Sequence, residues 1–401
     1  MGELSPPRRR HRAGTDRPVR ILHVAPSYLP AIRYGGPIYS VHGLAAAQAA
    51  QGHEVAVFTT NADGPGTSDV PVGTPVMLDR VAVTYFDIGL PRRLFRAPAL
   101  ATALHRQVGQ FDIVHLHSVF LWPTLVAARA AKRAGVPYVL SPRGMLVAEL
   151  IRAKSALVKR GWIALFEKQT IRDAAFIHVT AAREAEDFAA LGFSARRIVE
   201  IPNGVDPAPA GDALPASDVQ AAIAGGRYAL SLGRLSWKKN LAALIAAMRA
   251  APGLRLVIAG NDEEGLTEKL LAAIAEHDLA DRVALIPRSV EGADKEALFA
   301  HAALFVLPSH NENFGNTVLE AMVRRLPVVV SSGAGVAEVV AAAGSGLIAA
   351  PEADALGEAI VTLDGDPARA AAMAEAGERA ARELYGWGPV AERMIAAYRE
   401  A

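Results

Sequence analysis

The sequence predicts an α/β protein made of two parallel-sheet domains, and three observations carry that expectation. Short β-rich apolar runs alternate with longer helical patterns along nearly the whole chain. The alternation breaks once, in a proline-rich stretch, and then restarts. The length, 401 residues, suits two domains better than one giant sheet.

The elements follow in order. Residues 1–18 read as a disordered basic arm without the apolar core of a signal peptide. The first strand is VRILHVA (19–25), followed by a Gly/Pro loop and a helix from about Ile38 to Gln51. Further strands are EVAVFTT (54–60), VAVTYF (81–86), FDIVHLH (111–117), PYVLSP (137–142), AAFIHVT (174–180) and RRIVEIP (196–202), and they place a first domain over 19–205. Residues 206–226 carry several Pro and Asp among small residues and read as a linker. The pattern then resumes with RYALSLG (227–233), LRLVIAG (254–260), RVALIP (282–287), ALFVLP (303–308) and PVVVSS (327–332), giving a second domain over 227–385. The tail beyond Asp366 is helical, interrupted near Trp387; it can stay on the second domain or cross back to the first, and the crossing is expected over about 386–401.

Composition excludes several classes. There is no cysteine, which removes disulfide scaffolds, thiol nucleophiles and thiolate metal sites. No His pair stands at metal-ligand spacing, so no metal is expected. Net charge is +1, from 42 Lys/Arg and 41 Asp/Glu, which argues against a nucleic-acid partner. No stretch approaches the roughly 20 apolar residues of a membrane span, so the expectation is a cytoplasmic protein.

Ligands of open α/β sheets bind beyond the carboxyl ends of the strands, so the loops there hold the candidates. Gly35-Gly36, before a helix opened by Pro37, lets backbone N–H groups approach an anion. His117 ends its strand, with His115 on the same face and Leu116 opposite. Arg143, in SPRGM (141–145), can face an anionic ligand. Arg234 and Lys239, in LGRLSWKKN (232–240), bracket a turn into a helix and together can neutralise a diphosphate. The richest segment is PSHNENFGNTVLEAM (308–322). Glu312 lies in its loop and Glu320 in the helix that follows. Phe314 and Gly315 make a tight start, where Asn316 and Thr317 offer N–H groups to an anion. Ionised carboxylates there suit the hydroxyls of a sugar or ribose.

Other apparent motifs fail. Gly333-Ala-Gly335 lacks the third glycine of a dinucleotide fingerprint. Asp364-Gly-Asp366 precedes Pro367 and reads as a turn.

These motifs, in their order and spacing, resemble the retaining glycosyltransferases of family 4. The likeness runs from about Val19 to the end, and its members include IPNGVD (201–206). SPRGM and the ENFG form resemble bacterial members that build surface polysaccharides, lipopolysaccharide and exopolysaccharide among them. The resemblance implies the GT-B fold, two Rossmann-like domains facing a cleft, the first for the acceptor and the second for the nucleotide sugar. It implies a metal-independent hexosyl transfer with no cofactor, from a UDP- or GDP-sugar to a saccharide or lipid-linked saccharide. By the same resemblance Arg234 and Lys239 hold the donor diphosphate and Glu320 the ribose. Glu312 lies near the transferred sugar within Asn313, Phe314, Gly315, Asn316 and Thr317, which face the phosphate and sugar. His117 lines the catalytic cleft, Gly36 covers the donor phosphates, and Arg143 lies on the acceptor side. Relatives usually have Gly-Gly where this chain has Ala334-Gly335, and often Gly where it has Pro287-Arg288. Two other readings stay open: a nucleotide-sugar epimerase of the same fold, and a non-catalytic binding module in polysaccharide assembly.

The near-zero total charge hides a split. Residues 1–205 hold 25 Lys/Arg against 15 Asp/Glu, and the remainder 17 against 26. Residues 143–172 interleave Arg143, Arg152, Lys154, Lys159, Arg160, Lys168 and Arg172 with Leu146, Leu150, Ile151, Leu157, Trp162, Ile163 and Phe166. Such a segment can lie on an anionic membrane surface, which would make the cytoplasmic protein peripheral on the inner face of the plasma membrane, or it can be an ordinary domain helix with solvated cations.

Overall fold

A computed structural model describes residues 17–33, 35–146, 161–209 and 214–401. The first sheet contains β1 (Arg20–Val24), β2 (Glu54–Thr60), β3 (Val76–Leu78), β4 (Val81–Phe86), β5 (Ile113–His117), β6 (Tyr138–Ser141), β7 (Phe176–Val179) and β8 (Ile198–Glu200). Their spatial order is β8-β7-β6-β5-β1-β2-β4-β3. All neighbours are parallel except β3 and β4, an antiparallel edge pair. The second sheet contains β9 (Tyr228–Leu232), β10 (Arg255–Ala259), β11 (Val283–Ile286), β12 (Leu304–Leu307), β13 (Val328–Ser331) and β14 (Gly346–Ala349), in the order β11-β10-β9-β12-β13-β14, all parallel. The result is two Rossmann-like layers of the GT-B type.

Both sheets reverse their winding once. The first does so between β1 and β5, the second between β9 and β12. A crevice opens where neighbouring strands send their connections to opposite faces. The loops at these points are those after Val24, His117, Leu232 and Leu307, the loops singled out by their chemistry.

Each sheet is buried on both faces. In β5, Ile113 joins one core and Val114 and Leu116 the other, while His115 and His117 share the face of Ile113. The second sheet is covered likewise, with Leu230 and Phe305 on one side and Leu256 and Val306 on the other. Among the described residues no helix is long and apolar enough to cross a membrane.

Three expectations need adjusting. Ser217–Ala224, inside the stretch read as a linker, is a helix. Its apolar residues fall three apart, and Val219 and Ala222 are buried in the second core. The short strands β3 and β14 lack a clear β-rich run and were not expected. In the basic 143–172 segment, residues 147–160 lie outside the described residues, so Arg152, Lys154, Lys159 and Arg160 do too. Arg143 turns into the cleft rather than outward. Glu167 is buried, taking a hydrogen bond from Trp162 Nε1 at 2.8 Å.

The last helix, Trp387–Arg399, crosses back and packs on the first helix, Gly36–Ala50. Val390, Ala391, Met394 and Ile395 join Val41, Leu44 and Ala45 in one core. Trp387 is seated where side chains would otherwise stand. A Cβ at Gly43 would lie 2.2 Å from its ring, and one at Gly204 2.4 Å. An interior helical glycine costs about 0.5–1 kcal/mol relative to alanine, so Gly43 is tolerated for the room it leaves. Gly43→Ala should therefore lower stability, by about 1–3 kcal/mol net, because overpacking outweighs helix propensity. Urea denaturation checks this; a midpoint equal to or above that of the wild type would contradict it.

Candidate active site

The two crevices face each other across a cleft of about 380 Å³. From the first domain it is lined by Gly35, Gly36, Ser40, Arg143, Glu184 and Asn203, among others. From the second come Arg234, Lys239, Glu312, Asn313, Phe314, Gly315, Asn316 and Thr317.

The second-domain wall is assembled by β9, β12 and the loop after β13. Glu312 N–H donates to the Gly333 carbonyl at 3.1 Å, and the Gly335 and Val336 N–H groups return bonds to Glu312 and Phe314. This short ladder pins the 309–315 loop, and it needs a backbone path that Ala334 supplies as well as glycine would. Gly315 has φ +108°, and a Cβ there would meet Leu307 at 2.7 Å. Glycine is required for the sharp turn that starts the helix Asn316–Val323.

Lys239 Nζ lies 2.6 Å from Glu312 Oε2, in a pair that is mostly shielded from water. Arg234 is half exposed, 3.2 Å from Glu263, and its Nε comes within 3.7 Å of where a Cβ on Gly35 would be. The cation of one domain thus touches the glycine loop of the other.

Asparagines join the two walls. Asn203 Nδ2 donates to Asn316 Oδ1 at 2.9 Å, and Asn316 Nδ2 donates to Ser40 Oγ at 3.0 Å. Asn313 Nδ2 donates to Thr180 Oγ1 at 3.0 Å. Glu184, in the first turn of its helix, accepts from the N–H groups of Gly144 (2.6 Å) and Thr180 (2.9 Å). Asn203, Ser40 and Glu184 received no role from the sequence. Asn203 stands within IPNGVD, and Glu184 has the helix-start position of a capping carboxylate; neither signal by itself points to a cleft.

His117 does not line the cleft. It is enclosed behind Arg143, whose Nη2 is 3.3 Å from its Nδ1. Arg143 itself has a left-handed backbone (φ +56°), strained for a non-glycine residue. Burial pulls its guanidinium down to about 10. Glu320 also lies off the cleft lining, paired with Lys295 at 2.8 Å. Tyr39 of the first domain stands in front of it: partial burial, then the charges of Glu291 and Glu320, push its phenol up. Arg288 is engaged by Asp218 and Asp294 at 2.7 and 2.8 Å, stapling the helix Ser217–Ala224.

Behind Arg143, His23, His115, His117 and His178 cluster on one face of β1, β5 and β7. The register sets His23 opposite His115. His23, His115 and His117 hold ring nitrogens within 4.8 Å of one another, a spacing a metal ion can use. No spacing within one strand reveals this, because it arises between strands.

Burial keeps all four neutral: His23 falls to about 4, His178 to about 3, and His115 and His117 well below 6.5. Between about pH 4 and 6.5 the unfolded chain binds protons that the folded chain refuses. Stability must fall as pH drops through that window, by about 1.4 kcal/mol per unit for each histidine. Glu167, raised to about 7 by burial, acts in the opposite sense but is one group against four. The urea midpoint at pH 5.5 should lie clearly below that at pH 7.5; equal midpoints would contradict the neutral cluster.

Comparisons with known proteins agree with this architecture. Residues 35–204 match the glycosyl transferase 4-like domain, and residues 216–380 match the glycosyl transferases group 1 domain. The chain is 30% identical to the D-inositol 3-phosphate glycosyltransferase of Xylanimonas cellulosilytica, over 92% of each chain. It is 28% identical to the GDP-mannose:cellobiosyl-diphosphopolyprenol alpha-mannosyltransferase of Xanthomonas oryzae pv. oryzae, over 75% of this chain and 77% of that one. Among solved structures, sucrose-phosphate synthase from Thermosynechococcus elongatus superposes with a TM-score of 0.72 at 22% identity, covering 95% of this chain and 98% of that one. Anabaena HepE in complex with UDP-glucose gives 0.69 at 20%, covering 94% and 98%. The chain belongs to family 4 of the glycosyltransferases, with the GT-B fold.

Proposed function

We propose that the protein transfers a hexose from a UDP- or GDP-sugar to a growing or lipid-linked saccharide in bacterial polysaccharide synthesis, with retention at the anomeric carbon and without a metal ion. The observation that carries this reading is convergence. The Gly35-Gly36 loop, Arg234, Lys239 and the start of the helix Asn316–Val323 all meet at the one cleft formed by both crevices.

The departing group is a nucleoside diphosphate, whose charge grows as its bond to the sugar breaks. Arg234, Lys239 and the N–H groups at the helix start stabilise that charge in place. The sugar becomes oxocarbenium-like, and Glu312 offers it a nearby carboxylate. Glu312 is already held by Lys239, which favours an electrostatic role over a nucleophilic one. The acceptor oxygen attacks from the face the diphosphate leaves, and its proton passes to a departing phosphate oxygen. Glu320 waits one turn deeper for the ribose hydroxyls, once Lys295 shares it.

The named relatives support this range of partners. One uses GDP-mannose and a polyprenol-diphosphate sugar by name, and another an inositol phosphate. A thermal-shift panel of UDP, GDP, ADP and their sugars selects the donor, because a ligand of the native state raises the melting temperature. Transfer assays with polyprenol-diphosphate saccharides and inositol phosphate then select the acceptor. Epimerised donor without acceptor would sink the transferase reading.

Lys239→Ala should weaken binding of the selected nucleotide at least about tenfold. A charge-assisted bond is worth roughly 1.5–3 kcal/mol, and the substitution also leaves Glu312 unpaired beside an anion. Calorimetry showing unchanged affinity would contradict it.

We also propose docking on anionic membranes through the basic 143–172 segment without Arg143, which faces the cleft; Lys168 and Arg172 are exposed at its end. The protein should float with liposomes containing anionic lipid and stay down with neutral ones; flotation indifferent to lipid charge removes the idea.

A further inference from the structure

The hydrogen bonds around Arg143 have directions that can be worked out, because a guanidinium donates and never accepts. His117 Nδ1, facing Arg143 Nη2, must present a lone pair. The proton of this neutral ring is therefore on Nε2, pointing at His23 Nδ1, 2.9 Å away. His23 in turn donates from Nε2 to Gln48 Oε1 at 2.8 Å. That orients the Gln48 amide, whose nitrogen donates to the Tyr398 hydroxyl at 3.4 Å. The phenol O–H donates to His115 Nδ1 at 2.5 Å. His115 Nε2 donates to Ser141 Oγ at 2.6 Å, and Ser141 donates to His178 Nδ1 at 2.6 Å. His178 Nε2 donates to the Ile201 carbonyl at 2.8 Å. A carbonyl accepts and never donates, so the chain ends on the polarity that its beginning demands. With neutral rings no other proton arrangement satisfies both ends.

A second branch leaves Arg143 in the other direction. Nη1 donates to Asn203 Oδ1 at 2.9 Å, Asn203 to Asn316, Asn316 to Ser40, and Ser40 Oγ to the Gly36 carbonyl at 3.0 Å. It too runs from a pure donor to a pure acceptor. Arg143 Nε is buried and finds no partner among the described residues. The first branch uses every ring nitrogen of His23, His115 and His117, which leaves no lone pair for a metal ion at their close approach.

We propose that the C-terminal helix is a working part of the active site: through Tyr398 and Gln48 this relay fixes the tautomer of His117 and so the aim of Arg143 at the cleft. Tyr398, Gln48, His23 and His115 are positioning residues, since none of them lines the cleft. The ordering of the relay is independent of the sugar transferred; its effect on turnover rests on the proposed glycosyl transfer.

Long-range ¹H–¹⁵N spectra of the full-length protein labelled at histidine, assigned with single His→Gln variants, report each tautomer at neutral pH. His23, His115, His117 and His178 should all carry the proton on Nε2. Any of the four with its proton on Nδ1, or protonated on both nitrogens, overturns the relay. In Tyr398→Phe the His117 signals should shift, although Tyr398 lies three links away. With the donor selected above, kcat should fall at least about tenfold while the donor KM stays within about twofold, as expected for a misaimed group. Val390→Ala, which thins the packing of the same helix outside the relay, should keep kcat. Unmoved His117 signals, or shifted signals with wild-type kcat, overturn the positioning role. Absence of turnover by the wild type would count against the proposed transfer alone, because the spectra decide the relay without it.

Discussion

The indole of Trp387 occupies space that side chains at Gly43 and Gly204 would need, and that contact seats the helix following the second domain on the first. A parallel sheet presents its ligand-directed loops at one edge only. A cleft with two chemically different walls therefore requires two such edges to be held face to face. The Trp387–Arg399 helix does this from outside, by covering the first domain with the end of a chain that has just completed the second. Within the cleft the joining bonds are few and polar: Asn316 to Ser40 and Asn203, and Asn313 to Thr180. Apolar packing fixes the distance between the walls, and the asparagines set their register.

The strands and the ligand-directed loops were legible because they depend on local pattern. Runs such as ALFVLP are β-rich on both faces, and a sheet buried on both sides calls for that composition. The sharp turn at Gly315 was legible for the same local reason. What escaped were relations between distant segments. His23 and His115 are 92 residues apart and meet only through the pairing of β1 with β5. Arg143 is legible as a cation that can face an anion, but its partners Asn203 and His117, which β6 brings it against, are not. The helix at Ser217 was hidden by its prolines, which precede it rather than interrupt it.

The charge split between the halves does not divide the labour of the cleft. The acidic half supplies Arg234 and Lys239, and the basic half supplies Arg143. Net charge over some two hundred residues describes solubility and long-range field, whereas recognition of an anion is settled by the few cations that face it. Much of the acidity of the second half is spent on its own cations: Arg288 is held by two carboxylates, Arg324 by Glu296, Lys295 by Glu320. Lys239 is paired too, but with a partner inside the cleft, so an arriving diphosphate competes with Glu312 rather than with water.

The crossing of the last helix also fixes the order in which the molecule can be finished as it is made. The first domain leaves the ribosome with the face bearing Ile113, Val139, Phe176 and Ile201 only partly covered, by Val41, Leu44 and Ala45 of its own first helix. The residues that complete its cover, Val390 to Tyr398, are translated only after the whole second domain. At about 5–20 residues per second, that apolar surface waits roughly 10–40 s for its cover. The nascent first domain thus keeps part of this apolar face open until the helix Trp387–Arg399 emerges, and a ribosome that stalls in the second domain releases a first domain without that cover.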